Sequence, residues 1–370
     1  MQAIVVDTHN DVLSSATMRG LNIENDLKGK THSDIARFKK GGVDVQVFSI
    51  FCDGKFGKDT AFKFANIEMD SLYAIVGRNN DKMMIVTNPA ELQSAVAQKK
   101  LGCMMGVEGG HMIEENLQYL DALYRKGARY MTLTWNNSTS WATSAQDETT
   151  RRDSLTKAGH IGLTDFGKKV VRRMNQLGMM VDVSHVGEQT FWDAINTTTK
   201  PVIASHSCAY SLCPVFRNLK DDQIKAIGKN GGLIHLNFYS GFVDSTFNRR
   251  MREFNQRHRP EVDSLRKLKW DNYEIEEWMA AKYPLEATNL RPPLSLLLEH
   301  LDYIVKLIGV DHVGLGSDFD GISSSPQQLD DVTSYPLITK ELLKRGYNKN
   351  DVRKILGENF IRVFTAVQSN

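Results

Sequence analysis

Histidines and carboxylates follow five separate short apolar runs of this sequence. The set contains three of each, namely His9, His185, His206, Asp11, Glu108 and Asp318. Neutral imidazoles and carboxylates, without a thiolate, are suitable ligands for zinc, manganese, iron or cobalt. Core packing explains such a set poorly, because a buried carboxylate needs a partner or a metal ion. The residue types therefore predict a metal centre that activates water.

The number of candidate ligands favours two ions over one. A catalytic zinc ion usually has three protein ligands and keeps one position for water, so six ligands exceed its needs. Two ions that share one carboxylate fit the count, and such a pair deprotonates a bridging water near neutral pH. A further carboxylate nearby would carry the proton. In His9-Asn10-Asp11, residues i and i+2 of a strand project to the same side, so both can reach one ion.

These residues need strands that end at a common edge. Eight short runs, mostly apolar and rich in Val, Ile and Met, are typical of buried parallel strands, and helical segments lie between them. The predicted strands are 3–6, 43–51, 102–107, 129–134, 179–183, 201–204, 232–237 and 312–316. Eight strands alternating with helices predict an α/β fold, a (β/α)8 TIM barrel, with its site at the C-terminal strand ends. A doubly wound sheet is the alternative, but no G-x-G-x-x-G turn follows an early strand.

Segment 239–291 interrupts this alternation after strand seven. It is long, charged and aromatic, and its predicted form is a helical insertion. The segment is either a solvent-exposed insertion, or a lid or subunit contact. A homodimer is therefore one of the predicted possibilities. The length of 370 residues suggests two or three domains, but the strand ends predict one metal-dependent hydrolase barrel over 1–370, insertion included.

Composition argues against several classes of protein. With 46 basic and 44 acidic residues the net charge is +2, which gives no electrostatic footprint for nucleic acid or an anionic membrane. No stretch approaches the roughly 18 apolar residues of a membrane span. The four cysteines form no C-x-x-C pair, which argues against a disulfide framework or a zinc knuckle. The apolar start fits a cytoplasmic protein, and equally an exported one whose signal peptide was removed.

Several motifs resemble the membrane dipeptidase (renal dipeptidase) family, peptidase family M19, in order and over nearly the whole chain. The motifs are His9-Asn-Asp11, Gly106-Val-Glu-Gly-Gly110, Tyr130-Met-Thr-Leu-Thr134, Met180-Val-Asp-Val-Ser-His185, Ser205-His-Ser207 with Ala209-Tyr-Ser211, Arg217-Asn218 and Gly316-Ser-Asp-Phe-Asp-Gly321. The family belongs to the amidohydrolase-like metal-dependent barrels. Many of these begin with H-x-H, whereas the H-x-D of this chain favours the dipeptidase branch.

The resemblance implies a binuclear enzyme with two Zn²⁺ per chain that hydrolyses dipeptides by attack of a hydroxide bridging the ions. Carried over by position, His9 and Asp11 would bind one zinc ion. His185 and His206 would bind the other, and Glu108 would bridge both.

The resemblance also implies roles at two further positions. Asp318 would contact the first zinc ion and act as general acid and base, so the expected catalytic residues are Asp318 and Glu108. Arg217 would pair with the terminal carboxylate of the substrate, for which a planar guanidinium is well suited.

One position departs from the family pattern. The strand-four motif of characterised dipeptidases ends in a histidine that contacts the scissile group, whereas this chain has Trp135. An indole has one N–H donor and no acceptor, and losing an oxyanion-type donor costs roughly 100- to 1000-fold in turnover. Trp135 and Asn136 are therefore candidate substrate contacts, with Asn137 as another replacement donor. Alternatively, Trp135 only packs at the barrel mouth with Trp141.

The leading hypothesis is a metallo-dipeptidase. The alternative enzyme is a related metal-dependent amide, lactone or phosphoester hydrolase whose specificity is altered by Trp135. The non-enzyme alternative is a barrel that binds peptides or metal without turnover.

Overall fold

The computed structural model describes residues 3–369. Within them the strands are β1 Val6–Asn10, β2 Val45–Phe51, β3 Met83–Ile85, β4 Leu101–Glu108, β5 Ala128–Thr132, β6 Met180–Asp182, β7 Ile203–Ala204, β8 Leu233–Leu236 and β9 Val313–Leu315. The strand pairs are parallel, and β2, β1, β9, β8, β7, β6, β5 and β4 are neighbours in that order. Pairing of β2 with β4 closes the ring. The predicted (β/α)8 barrel is confirmed.

Two strands differ from the prediction. The first was expected at 3–6 but runs from Val6 to Asn10, because the polar Asp7 is satisfied inside the barrel and does not end the strand. Its carboxylate accepts hydrogen bonds from the backbone N–H of Ser317 at 2.9 Å and from the Ser317 hydroxyl at 2.6 Å. Strand β3 was not predicted, and it pairs with the beginning of β4, outside the closed ring.

Helices surround the barrel. In the described residues the α-helices are α1 Val12–Met18, α2 Ile35–Gly41, α3 Ala61–Arg78, α4 Pro89–Ala97, α5 Leu117–Arg125, α6 Ala145–Thr150, α7 Arg152–Lys157, α8 Asp165–Leu177, α9 Glu188–Thr197, α10 Asp221–Lys229, α11 Ser240–Val243, α12 Phe247–Arg257, α13 Arg259–Lys267, α14 Asn272–Lys282, α15 Pro284–Leu290, α16 Leu294–Ile308, α17 Tyr335–Lys344, α18 Lys349–Arg353 and α19 Asn359–Gln368. Across residues 3–369, none of the helices combines the length and the apolar character needed to cross a bilayer.

Local sequence explains where these helices begin and end. Helix α8 begins after Thr164, whose side chain accepts a hydrogen bond from the N–H of Gly167. It ends at Gly178, whose φ of 77° lies in the left-handed region that a helix C-cap requires.

Helix α19 closes the N-terminal end of the barrel. Its apolar side chains share one buried cluster with residues from the beginnings of the strands, and this cluster forms the barrel floor. The floor includes Phe360, Val363 and Phe364 from α19 and Val6, Val45, Met180, Ile203 and Leu233 from the strands. The opposite, C-terminal strand ends are thereby left as the open mouth of the barrel.

The predicted insertion after the seventh barrel strand is confirmed as the helices α11 to α15. It has a small apolar cluster of its own, which contains Phe247, Phe254, Val262, Leu265, Ile275, Met279 and Leu290. Two contacts join it to the loop after β9. The Tyr273 hydroxyl donates to the carbonyl of Asp320 at 3.3 Å, and Glu276 accepts from the Ser323 hydroxyl. The insertion therefore packs beside the loop that carries Asp318.

Candidate metal centre

All six predicted ligands meet at the mouth of the barrel. Their positions are His9 near the end of β1, Asp11 just after β1, Glu108 at the end of β4, and His185, His206 and Asp318 in the loops after β6, β7 and β9. Each is buried or nearly so. Two groups of three place their ligand atoms within 4.8 Å of one another: His9 with Glu108 and His206, and His9 with Asp11 and Asp318.

Glu108 lies between the histidines and directs its two oxygens to different partners. Oε2 is 3.5 Å from Nε2 of His9. Oε1 is 3.0 Å from Nε2 of His185 and 3.6 Å from Nε2 of His206. On the other side of His9, Nε2 lies 3.4 Å from Oδ2 of Asp11 and 4.0 Å from Oδ1 of Asp318. This arrangement suits a carboxylate shared by two adjacent cation sites.

The Nδ1 atom of each of the three candidate-ligand histidines faces a hydrogen-bond acceptor. For His9 the partner is the Tyr130 hydroxyl at 2.7 Å, and for His185 it is Oδ1 of Asn136 at 3.0 Å. For His206 it is Oγ of Ser205 at 2.8 Å. These contacts hold the proton on Nδ1 and leave the Nε2 lone pairs pointing into the site, which is how metal-binding histidines are usually oriented.

The residues present fit bound cations. The Nε2 atoms of His185 and His206 lie only 2.9 Å apart, and two lone pairs at that distance repel unless a positive charge lies beside them. Within the described residues, Nε2 of His9 and Oδ1 of Asp11 are buried without any hydrogen-bond partner. Buried polar atoms are normally satisfied, so this convergence of unpaired atoms fits a metal site.

The pKa shifts of His185 and His206 favour the neutral form of both imidazoles. Burial, followed by the charge of Arg217, lowers the pKa of His185 to about 4. Burial, followed by the charge of His9, holds the pKa of His206 well below its usual range. Both imidazoles are therefore neutral at physiological pH, as metal binding requires.

Around His9, Asp11 and Asp318 the pKa shifts have the opposite direction. Burial opposes a charge on His9, but Tyr130, Asp11 and Glu108 outweigh it and raise the pKa of His9 well above its usual value. Burial also raises the pKa of Asp318 well above its usual range. The buried carboxylates around His9 therefore favour a positive charge beside them. Either a proton on His9 or a bound metal ion can supply that charge.

Asp318 is held in a constrained loop. Its φ of 61° is in the left-handed region, and the side-chain amide of Asn237 donates to its Oδ2 at 2.8 Å. Gly321 leaves room for the site, because a Cβ there would lie 2.3 Å from Oδ2 of Asp11 and 2.7 Å from Oδ1 of Asp318.

Arg217 lies behind His185, at a cavity of about 240 Å³. It is buried, and its Nη2 donates to the carbonyl of His206 at 3.2 Å, while its Nε has no partner among the described residues. Burial lowers the pKa of Arg217 to about 10, which still leaves a cation at neutral pH. The sequence prediction thus coincides with a buried guanidinium beside the candidate metal centre.

Trp135 and Asn136 are neighbours in the sequence, but their side chains make different contacts. The half-buried Trp135 packs against Phe51, with ring centroids 4.9 Å apart, and its ring is 6.5 Å from that of His185. Trp141, the predicted packing partner of Trp135, packs against Phe166. The amide oxygen of Asn136 lies 3.0 Å from Nδ1 of His185, and a substrate contact of Asn136 stays a prediction.

The residues that orient the ligands are harder to recognise in the sequence. Tyr130 belongs to one of the motifs named above, and no pattern around Asn237 indicates its role. Asp182 accepts from the hydroxyls of Thr132 at 2.5 Å and Ser205 at 2.6 Å. The one available signal was adjacency, since Ser205 precedes His206 in the chain.

Known proteins resemble this chain over its full length. The model of the family described as membrane dipeptidase (peptidase family M19) matches residues 1–370. Mouse (Mus musculus) Dipeptidase 3 is 30% identical over 98% of this chain and 64% of that protein, so the chain spans less than two thirds of that relative.

Solved structures share the fold. A metallopeptidase from Rhodobacter sphaeroides, liganded with a phosphinate mimic of the dipeptide L-Ala-D-Ala, superposes with a TM-score of 0.78 at 24% identity, covering 99% of this chain and 100% of that one. The probable dipeptidase PvdM from Pseudomonas aeruginosa gives a TM-score of 0.80 at 23% identity, covering 99% and 96%.

Proposed function

Because this chain belongs to the membrane dipeptidase family, peptidase family M19, we propose that it is a metal-dependent dipeptidase. The observation that carries the proposal is the position of Glu108, whose two oxygens face His9 on one side and His185 with His206 on the other. We further propose that residues 1–370 form a single hydrolase domain.

The donor set favours two zinc ions. His9, Asp11 and Asp318 would hold one ion, His185 and His206 the other, and Glu108 would contact both. When bound, such ions lower the pKa of a water molecule and polarise the carbonyl group of the peptide bond.

The protein's own groups would orient the substrate and move the proton. Asp318 has a raised pKa and a carboxylate fixed by Asn237, so it would accept a proton at Oδ1 and return it to the leaving amine. Arg217 would bind the terminal carboxylate of the dipeptide, because its buried guanidinium has an unused Nε–H. A short peptide with a free carboxylate is the substrate that this pair of groups fits.

The alternative is another amide, lactone or phosphoester hydrolase on the same centre, and Trp135 is the observation that favours it. Its ring is 6.5 Å from that of His185, and an indole cannot carry a proton. A substrate that needs no proton-carrying group at this position would be hydrolysed better than a standard dipeptide.

The decisive experiment is a substrate panel on zinc-loaded protein. L,L and L,D dipeptides, lactones, other amides and phosphoesters are tested in parallel, with zinc content measured on the same sample. We expect release of amino acids from dipeptides and close to two zinc ions per chain. Turnover of lactones or other amides without any dipeptide hydrolysis would support the alternative enzyme, and one ion per chain would contradict the binuclear centre.

A further inference from the structure

Tyr130 reaches across the barrel interior to the candidate metal centre. It is fully buried in β5, and its ring belongs to the apolar cluster of the barrel floor. Its hydroxyl lies 2.7 Å from Nδ1 of His9 and donates to the carbonyl of Thr8 at 3.0 Å. Since a carbonyl oxygen can only accept, the hydroxyl proton is committed to Thr8. The hydroxyl oxygen of Tyr130 can then accept a hydrogen bond from Nδ1–H of His9.

A glycine in the neighbouring strand makes this contact possible. Gly106 of β4 pairs in register with Tyr130 of β5. The phenol ring lies over the Gly106 backbone so closely that a Cβ at this position would be 2.0 Å from Cζ of Tyr130. Any side chain at position 106 would therefore displace the ring, and with it the hydroxyl that faces His9.

We propose that Tyr130 is a positioning residue, whose hydroxyl accepts a hydrogen bond from Nδ1–H of His9 and keeps the Nε2 lone pair directed at the metal position that His9 would share with Asp11, Glu108 and Asp318. This inference rests on the proposed function in one respect only, that His9 binds metal. Outer partners of this kind typically contribute about 10- to 100-fold to metal affinity, because they fix the tautomer and the orientation of the imidazole ring.

The geometry distinguishes this role from simple packing. The hydroxyl of a buried tyrosine needs a partner, but the carbonyl of Thr8 alone would satisfy its donor. The additional contact with His9 is the shorter of the two, at 2.7 Å against 3.0 Å. This contact also connects Tyr130, a residue of the barrel floor, to His9. Both groups of three candidate ligands contain His9.

The test is zinc titration of Tyr130→Phe against a chelating indicator. We expect one of the two zinc ions to bind about 10- to 100-fold more weakly, with the other changed less than about twofold. The matched variant is Ser205→Ala, which removes the Nδ1 partner of His206 and should weaken the other ion. Unchanged zinc affinity in Tyr130→Phe would overturn the proposal.

A double variant separates positioning from packing. If Tyr130 acts through His9, Tyr130→Phe should cause no further loss of zinc affinity in a His9→Ala background. An equal loss in both backgrounds would assign the effect to packing and overturn the proposal. Failure of the unmutated protein to bind zinc would contradict the proposed function as well, whereas normal zinc binding by Tyr130→Phe contradicts only this inference.

A measurement on the unmutated protein covers the case in which the variants do not fold. In zinc-loaded protein with ¹⁵N-labelled histidine, we expect the Nδ1 proton of His9 to be present and protected from solvent exchange. An unprotonated Nδ1 on His9 would overturn the proposal.

Discussion

Oδ1 of Asn136 lies 3.0 Å from Nδ1 of His185, so the amide oxygen accepts a hydrogen bond from Nδ1–H and Nε2 is directed towards Glu108. The backbone of Asn136 is held in turn, because its carbonyl accepts from the Ser144 hydroxyl at 2.8 Å. A residue expected from the sequence to contact substrate thus supports a candidate metal ligand.

Replacing Asn136 with alanine should weaken zinc binding more than substrate binding. The Nδ1 proton of His185 would lose its acceptor, and we expect about 10- to 100-fold lower affinity for one zinc ion. At saturating zinc, KM for a dipeptide should change little. Zinc titration and steady-state kinetics on the same samples check this. Normal zinc affinity with a raised KM would return Asn136 to a direct role in substrate binding.

Asp318→Asn should abolish turnover while the zinc ions remain bound. The amide keeps an oxygen that can contact a metal, but it cannot accept the proton from water or return it to the leaving amine. We expect a loss of about 100- to 10,000-fold in kcat. Zinc content measured on the assayed sample is the control, and a near-normal rate with both ions bound would remove Asp318 from proton transfer.

Arg217→Met should impair the hydrolysis of dipeptides selectively. Methionine keeps much of the buried volume but loses the charge, and a hydrogen bond to a charged group contributes about 1.5–3 kcal/mol. We expect kcat/KM to fall about 10- to 100-fold for a dipeptide and much less for the matching dipeptide amide, which lacks the carboxylate.

The matched control for Arg217 is Lys220→Met. Lys220 lines the same cavity but is paired with Glu188 at 2.8 Å. We expect this change to have little effect on either substrate. Equal losses for the dipeptide and its amide in Arg217→Met would argue against carboxylate recognition by this residue.

Trp135→His should raise the rate of dipeptide hydrolysis if the indole limits transition-state stabilisation. A well-placed donor contributes roughly 100- to 1000-fold, so an increase of about 1000-fold in kcat is the upper expectation. Trp135→Phe is the control, because it reduces the bulk of the ring without supplying a donor. An equal increase in the two variants would show that ring size, and not proton donation, matters at this position.

Glu68→Gln should change how stability depends on pH. Glu68 is buried in α3, its Oε2 accepts from the N–H of Phe51 at 2.7 Å, and burial raises its pKa well above the usual value. Above about pH 4.5 the unfolded chain ionises this group while the folded chain keeps it protonated. Stability is therefore lost with rising pH, by up to about 1.4 kcal/mol per unit, until the folded pKa is reached.

Glutamine keeps the acceptor for Phe51 and removes the titration. The difference in thermal midpoint between Glu68→Gln and the unmutated protein should therefore grow in favour of the variant as the pH rises from about 4.5 towards the folded pKa of Glu68. A difference that stays constant over this range would show that Glu68 is ionised in the folded protein.

The barrel and the convergence of the ligands could be predicted because both follow from local sequence. Apolar runs mark the strands, and a polar residue after a run, such as Glu108, lies at the C-terminal edge of the barrel. The end of β1 was misjudged because Asp7 looks like a strand end, and the contacts that Asp7 makes with Ser317, far along the chain, are not visible in the local sequence.

The supporting contacts could not be predicted, since they depend on how strands pair across the barrel. The proximity of Tyr130 to His9 requires the register between β4 and β5 and the absence of a side chain at Gly106. Nothing in the local pattern around Tyr130 indicates which distant atom its hydroxyl reaches. The same holds for Asn136, whose backbone direction is set by Ser144.

The barrel floor formed by α19 has a consequence for the order of events during synthesis. Val6 leaves the ribosome long before Phe360 and Phe364, which pack with it in the barrel floor. Domains fold as units while the chain emerges from its N-terminal end. The floor of this barrel therefore cannot close until the segment that forms α19 has been translated.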